Sequence, residues 1–196
     1  KIQNTFFKEI QTEVQAYMLG FYAADGGLNE KRKTLRIQLS EDDYEIVNLF
    51  KDLICPTART FRKQKRNLTI GRHGETYNCA ACYGIDINST IICQSLVDLG
   101  FGYRKTWEEH KFPNIDKKLI RHFIRGYFDG DGTVITGTRF GHAYSKVKTP
   151  YIKIGFNGTK EMLEGINKYL PETMSIHKEK RRPDTNTYFC YKSGTK

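Results

Sequence analysis

A ten-residue stretch occurs twice in this chain, and it constrains the fold more than any other feature. Tyr17-Met18-Leu19-Gly20-Phe21-Tyr22-Ala23-Ala24-Asp25-Gly26 returns 106 residues later as Phe123-Ile124-Arg125-Gly126-Tyr127-Phe128-Asp129-Gly130-Asp131-Gly132. Each copy sets small residues four apart (Ala16, Gly20 and Ala24; then Gly126 and Gly130) and follows them with an acid, Asp25 or Asp131. Residues four apart share one helical face, so each copy predicts a helix whose backbone another helix can approach closely. Small-xxx-small pairing is best documented in membranes, but its steric cause holds in water too. If the two stripes pack on each other, the acids leave the helix ends side by side at a pseudo-two-fold axis, as ligands for a divalent metal.

The surroundings of the motif are duplicated as well. Asn4 or Thr5 is placed to cap a helix through Glu9, Glu13 and Tyr17 to Asp25. Thr34–Ser40 alternates strictly, with Leu35, Ile37 and Leu39 on one side and Arg36 and Gln38 on the other. Ser40, Asp42 and Asp43 open an amphipathic helix that Pro56 ends. A basic hairpin follows from Phe61 to Gly74, then a strand from about Tyr77 to Ile87, and a helix from Ile91 to Leu99, capped by Ser89 and stopped at Gly100. Residues 101–117 read as a connector.

In the second half a helix over 117–131 leads to a strand near Thr133–Thr138 and an alternating strand at Tyr151–Asn157. Thr159 starts a helix that Pro171 stops, Ile176–Arg182 repeats the basic hairpin, and Tyr188–Lys192 is a further strand. On this reading Gln38 has Gly155 as its counterpart, the spacing widens to 117, and an insertion lies near 138–149. The order is a tandem duplication of an αββα-like unit. It divides the chain into residues 1–100, a connector at 101–117, and 118–196.

Charge says what such a scaffold can meet. Lys and Arg number 32 against 22 Asp and Glu, a net charge of +10 in 196 residues. Such an excess, with aromatics at 13%, points to nucleic acid. No apolar run reaches the roughly 20 residues of a membrane helix, and no stretch reads as a signal peptide. Each alternating strand leaves a polar face open, and a twisted ribbon of that kind fits the major groove. The candidate readers are Arg36, Arg62, Gln64, Arg66, Arg72 and His73 in one half, and Arg139, Lys153, His177, Lys180 and Arg182 in the other. Any one of them read alone is as well explained as a solvated cation or a phosphate contact.

Five cysteines, an odd number, suggest free thiols in a reducing, intracellular compartment, organelle or cytoplasm. Cys79-Ala80-Ala81-Cys82 with His73 and Cys93 nearby could bind zinc, but one CxxC without a second pair is weak, and small buried apolar residues are the preferred reading. An Asp before Gly at a helix end can be a plain turn residue. Yet a carboxylate at the negative end of a helix dipole is unfavourable, and here it happens twice, so a cation is the better explanation. Mg²⁺ suits one or two carboxylates completed by water and phosphate, as in phosphodiester hydrolysis.

With both motifs, their duplicated strands and helices and the connector in view, nearly the whole chain resembles the LAGLIDADG homing endonuclease family in its single-chain, two-motif form. The resemblance implies an α+β fold: a tandem pseudo-two-fold repeat of αββαββα units whose antiparallel sheets form a DNA-binding saddle. It implies a monomeric, sequence-specific double-strand endonuclease encoded within an intron or intein. Its partner is double-stranded DNA with a long, non-palindromic target, and its cofactor is Mg²⁺, for which Mn²⁺ or Ca²⁺ substitutes in the site. The motif acids match Asp25 and Asp131, the carbonyls before them belong to Ala24 and Gly130, and the water-orienting Gln matches Gln38. Lys192 is the candidate for the basic residue near the scissile phosphates. Ala23 against Asp129, and Gln38 against Gly155, make the two halves unequal. The alternative function is a non-cleaving nucleic-acid-binding protein on the same scaffold, an RNA splicing maturase or a regulator.

Overall fold

The alternation read at 34–40 becomes a strand because its two faces meet different surroundings. In a computed structural model, which describes residues 1–70, 75–103, 110–140, 147–180 and 185–195, this strand is β2, Thr34–Ser40. Leu35, Ile37 and Leu39 are buried while Arg36, Gln38 and Ser40 are exposed. The chain forms two compact units: Lys1–Glu9 with Asp25–Leu96, and Ile10–Ala24 with Val97–Lys196.

In the first unit β1 (Gly26–Asn29), β2, β3 (Thr60–Lys63) and β6 (Cys82–Asn88) form an antiparallel sheet in the order β1-β2-β6-β3. Helix α2 (Tyr44–Ile54) packs on the buried face through Val47, Phe50 and Ile54. Helix α3 (Thr90–Asp98) starts as read: Ser89 Oγ accepts from the Ile92 amide at 3.2 Å, and Gly100 beyond it has φ +99°, the left-handed stop that suits glycine.

The region before β6 departs from the sequence reading. The hairpin there is not formed by β3; it joins β4 (Arg66–Ile70) to β5 (Glu75–Cys79) as a separate two-stranded ribbon. The single strand read over 77–87 is broken at Ala80 and Ala81, so Cys79 and Cys82 sit on different strands, and both are partly exposed rather than buried. All five cysteines are free thiols. Burial raises the thiol pKa of Cys93 and Cys190, which behave as small apolar core groups.

In the second unit β7 (Gly132–Phe140), β8 (Lys148–Gly158), β10 (Tyr188–Thr195) and β9 (Ser175–Lys178) repeat the same order, β7-β8-β10-β9. The insertion near 138–149 is a lengthening of the β7–β8 hairpin, paired from Gly132↔Phe156 out to Phe140↔Lys148. Helix α5 (Lys160–Asn167) covers one face, and Thr159 caps it by accepting from the Met162 amide at 3.3 Å. It ends at Asn167, four residues before Pro171, the stop expected from the sequence. Part of the stretch read as a connector is core: Phe101 and His110 are buried and pack edge to face.

Helix α1 (Glu13–Asp25), but for Asp25, belongs to this second unit, as does α4 (Ile120–Asp131). The start of α1 corrects the expected cap. Residues 4–9 form turns, and Thr12 with Gln15 makes a capping box: Thr12 Oγ1 accepts from the Gln15 amide at 3.2 Å, and Gln15 Oε1 accepts from the Thr12 amide at 3.0 Å. The two helices meet as the glycine stripes require. A Cβ on Gly20 would strike the carbonyl oxygen of Phe123 and lie 2.8 Å from Tyr127 N. One on Gly126 would strike the carbonyl oxygen of Tyr17 and lie 3.0 Å from Phe21 N. Each contact is the other displaced by 106 residues, so the pair has its own two-fold relation.

Candidate nucleic-acid interface and metal site

The register places an amide side chain opposite each motif acid. In the first unit Gly26 pairs with Ile37, so Asp25 stands one step further, opposite Gln38. In the second unit Gly132 pairs with Phe156, so Asp131 stands opposite Asn157, whose Nδ2 donates to the Asp131 carbonyl and to Thr133 Oγ1, each at 3.4 Å. The structural counterpart of Gln38 is therefore Asn157 and not Gly155, and the two halves carry like groups. The sequence reading slipped by two residues because alternation has period two: a two-residue shift leaves every side chain on the same face.

Asp25 is exposed and Asp131 is half-buried. Both close helices, where the dipole disfavours a carboxylate unless a cation compensates. Carboxylates, backbone carbonyls and amide oxygens are all hard oxygen donors, which fits Mg²⁺. Among the described residues no cluster of three or more His, Cys, Asp or Glu offers an all-protein cage; Mg²⁺ ordinarily keeps water and phosphate in its shell.

Asp129, the extra acid of the second motif, has a different task. Tyr17 Oη donates to Asp129 Oδ2 at 2.9 Å, and the Arg125 guanidinium lies 4.9 Å from the Tyr17 ring centre. Burial, then the bond to Asp129, pushes the Tyr17 pKa up to about 12. A phenol held neutral in the folded state stabilises it fully below pH 10, its ordinary value, and that contribution is lost as pH rises through 12. Alkaline titration of tyrosinate absorbance should show one tyrosine of Asp129→Asn ionising at lower pH than in the parent protein, while burial still holds it above the ordinary value. An unchanged curve would mean that Asp129 does not hold Tyr17.

The open face of the first sheet carries Arg36, Gln38, Phe61, Lys63 and Asp86, by the pairing of β2, β6 and β3. Lys63 Nζ donates to Gln38 Oε1 at 2.6 Å and lies 5.3 Å from the Phe61 ring centre. Arg62, expected here, is on the opposite, helix-covered face: it pairs with Glu41 at 3.5 Å and lies over Tyr83. Neighbours on a strand point to opposite faces, and the reading chose the wrong one of two adjacent cations. Gln64 and Arg66 are exposed, in the link to β4 and at its start. Arg72, His73 and Arg182 lie outside the described residues, and Arg139 is described only as backbone of β7.

In the second sheet Lys153 and His177 are on the open face, as expected for readers, while exposed Lys180 follows β9. Lys153 Nζ sits 3.4 Å from the Tyr191 ring centre, and His177, Phe189 and Tyr191 form a ladder with ring centres 5.5 to 6.1 Å apart. Lys192 is elsewhere. It is two residues from buried Cys190, hence on the helix side of the sheet, and it is ion-paired with Glu172. A lysine held there does not face the polar surface on which the amide of Asn157 stands. The residues missed from sequence are Lys63, Asp86 and Asn157; an open-face parity count from Gln38 finds the last two only once the register is known.

No described helix is long and apolar enough to cross a membrane. Residues 118–191 match the family model of a LAGLIDADG-like domain. The RNA polymerase subunit Rpo1C of Methanocaldococcus jannaschii is 29% identical over 151 residues, which is 76% of this chain. The chain spans about 15% of the length of that relative. Among solved structures, I-SmaMI bound to uncleaved DNA with calcium ions aligns with a TM-score of 0.58 at 12% identity, covering 94% of this chain and 80% of that one. I-SmaMI bound to cleaved DNA gives 0.52 at 13%, over 95% and 78%. I-AabMI bound to uncleaved DNA gives 0.51 at 13%, over 92% and 78%. Likeness at these identities is one of fold, and it extends over both halves. Residues 118–191 thus carry a LAGLIDADG-like domain, and the chain as a whole has the fold of the solved LAGLIDADG homing endonucleases.

Proposed function

We propose that the protein is a sequence-specific, Mg²⁺-dependent endonuclease that hydrolyses phosphodiester bonds in double-stranded DNA, acting as a monomer on a long, non-palindromic target. The observation that carries this reading is that each half keeps its motif acid and sets an amide side chain opposite it, at the head of a sheet whose polar face is open. A scaffold kept only for binding has no need of both acids at helix ends.

In this reading Asp25 and Asp131 are the metal ligands, joined by the carbonyl oxygens of Ala24 and Gly130. Bound Mg²⁺ would polarise the phosphoryl oxygens and lower the pKa of an attacking water. Gln38 and Asn157 hydrogen-bond and orient that water, and Lys63 holds Gln38 in place. Lys192 is left out because of its face. The open sheet faces meet the DNA grooves, with Arg36, Lys63, Lys153 and His177 toward the duplex. The match to a stretch forming 15% of a polymerase subunit favours an in-frame insertion, an intein, over an intron as the coding context.

Incubating the protein with Mg²⁺ and a library of long duplexes should give cleavage within one enriched sequence. Capture of structured RNA with no cut duplex would replace this reading with the maturase one.

A further inference from the structure

Arg36 is held too firmly for a side chain that merely contacts phosphate. Its Nε donates to Asp86 Oδ1 at 2.6 Å and its Nη2 to Asp86 Oδ2 at 2.5 Å, across directly paired positions of β2 and β6. Its guanidinium carbon lies 5.5 Å from the Phe61 ring centre. A two-pronged pair of this kind fixes the plane of the guanidinium as well as its position. The pair also cancels its own charge, so it gives little of the salt-sensitive attraction that phosphate contacts supply. Directional donors are what remain.

Five N–H groups belong to a guanidinium, and Asp86 takes one from Nε and one from Nη2. The end formed by Nη1 and Nη2 still has donors side by side. Arg36 and Asp86 border a recess of about 380 Å³ that is lined also by Gly27, Leu28, Asn29, Arg32 and Thr34. In the major groove only guanine presents two adjacent acceptors, N7 and O6; adenine pairs an acceptor with a donor, cytosine shows a donor, and thymine one acceptor beside a methyl group.

We propose that Arg36 reads one guanine of the target end-on through Nη1 and Nη2, with Asp86 as the positioning residue that holds the fork. The assignment rests on the DNA-binding reading above, and it names what the middle of the first sheet recognises.

The test compares the whole protein with its Asp86→Ala, Arg36→Lys and Arg36→Ala variants. Binding to a randomised duplex library is measured in Ca²⁺, and the salt dependence is then measured on the enriched duplex. The parent protein should prefer guanine at one position by roughly 5- to 150-fold over other bases. Arg36→Ala should abolish that preference and Arg36→Lys should weaken it, because an ammonium still donates to N7 and O6 but lacks the fixed fork, and both should leave the remaining positions unchanged. Asp86→Ala should relax the same position and steepen the log–log salt slope, by about 0.9 for one phosphate newly contacted by the released cation. A purely structural role for Asp86 would not alter one base position and the salt slope together. An unchanged base profile in Asp86→Ala, or a uniform loss at all positions in Arg36→Lys, would overturn the assignment while leaving DNA binding intact. Failure of the parent protein to enrich any duplex would instead sink the DNA reading, and this inference with it.

Discussion

Asp131→Asn is expected to bind its target duplex as the parent protein does and to cut it on the order of 10³-fold more slowly in a single turnover. The magnitude follows from the several kcal/mol of charge stabilisation that a catalytic metal supplies, at 1.36 kcal/mol per tenfold in rate. The substitution keeps size and hydrogen-bonding capacity but removes the charge that suits a hard dication. Binding should survive because the cations on the sheet faces are untouched, and most affinity for DNA comes from phosphate contacts. Asp25→Asn should give a loss of the same order, since Gln38 stands opposite Asp25 as Asn157 stands opposite Asp131. The check is a quench-flow or gel assay with protein in excess, beside equilibrium binding in Ca²⁺. Unchanged cleavage by Asp131→Asn would remove this carboxylate from the chemistry. Two acids lie in the second motif, and their surroundings divide the work. Asp129 accepts the hydroxyl of Tyr17 and is committed to the helix pair, while Asp131 is the residue in register with the amide.

What could be read from the sequence follows from how many physical alternatives each residue leaves. The glycines of the repeated motif left one, because a helix interior that lacks a Cβ at four-residue spacing has little use except close approach, and Gly20 and Gly126 both make it. Ser89 and Thr159 were likewise legible as caps, since each stands just before an apolar-periodic run. Alternation left more than one alternative: it fixed which residues of β8 face the core but not which of them corresponds to Gln38 of β2, and the error moved that counterpart from Asn157 to Gly155. In β3 the cations Arg62 and Lys63 are adjacent, and only pairing with β6 tells which of them shares a face with Gln38. The face of Lys192 is legible from its neighbour, because Cys190 is apolar and two residues away on the same strand. The bond between Arg36 and Asp86 joins residues 50 apart, and no local pattern announces it.

The helix pair supplies the second large effect. Gly126→Ala adds one methyl group where the carbonyl oxygen of Tyr17 already lies inside contact distance, and Gly20→Ala does the same at Phe123. At an exposed helix position this change stabilises by roughly 0.5–1 kcal/mol, because alanine restricts the unfolded chain. Here the new atom meets backbone, which cannot rotate away as a side chain could, so α1 and α4 must separate. Parting them loosens the packing of Phe21, Tyr22, Phe123 and Tyr127, all buried in the second unit. Overpacking of a tight contact costs about 1–3 kcal/mol, and more where the obstacle is rigid, so each variant should lose about 3 kcal/mol. For a chain of this size that is a fall in Tm of about 6–12 °C. The double variant should fall by less than the sum, because the first substitution already opens the space that the second needs. Thermal melts followed by circular dichroism measure all three. A Tm unchanged or raised in Gly126→Ala would show that the two helices do not approach at their glycines, and the carriage of Asp131 on α4 would then need another support.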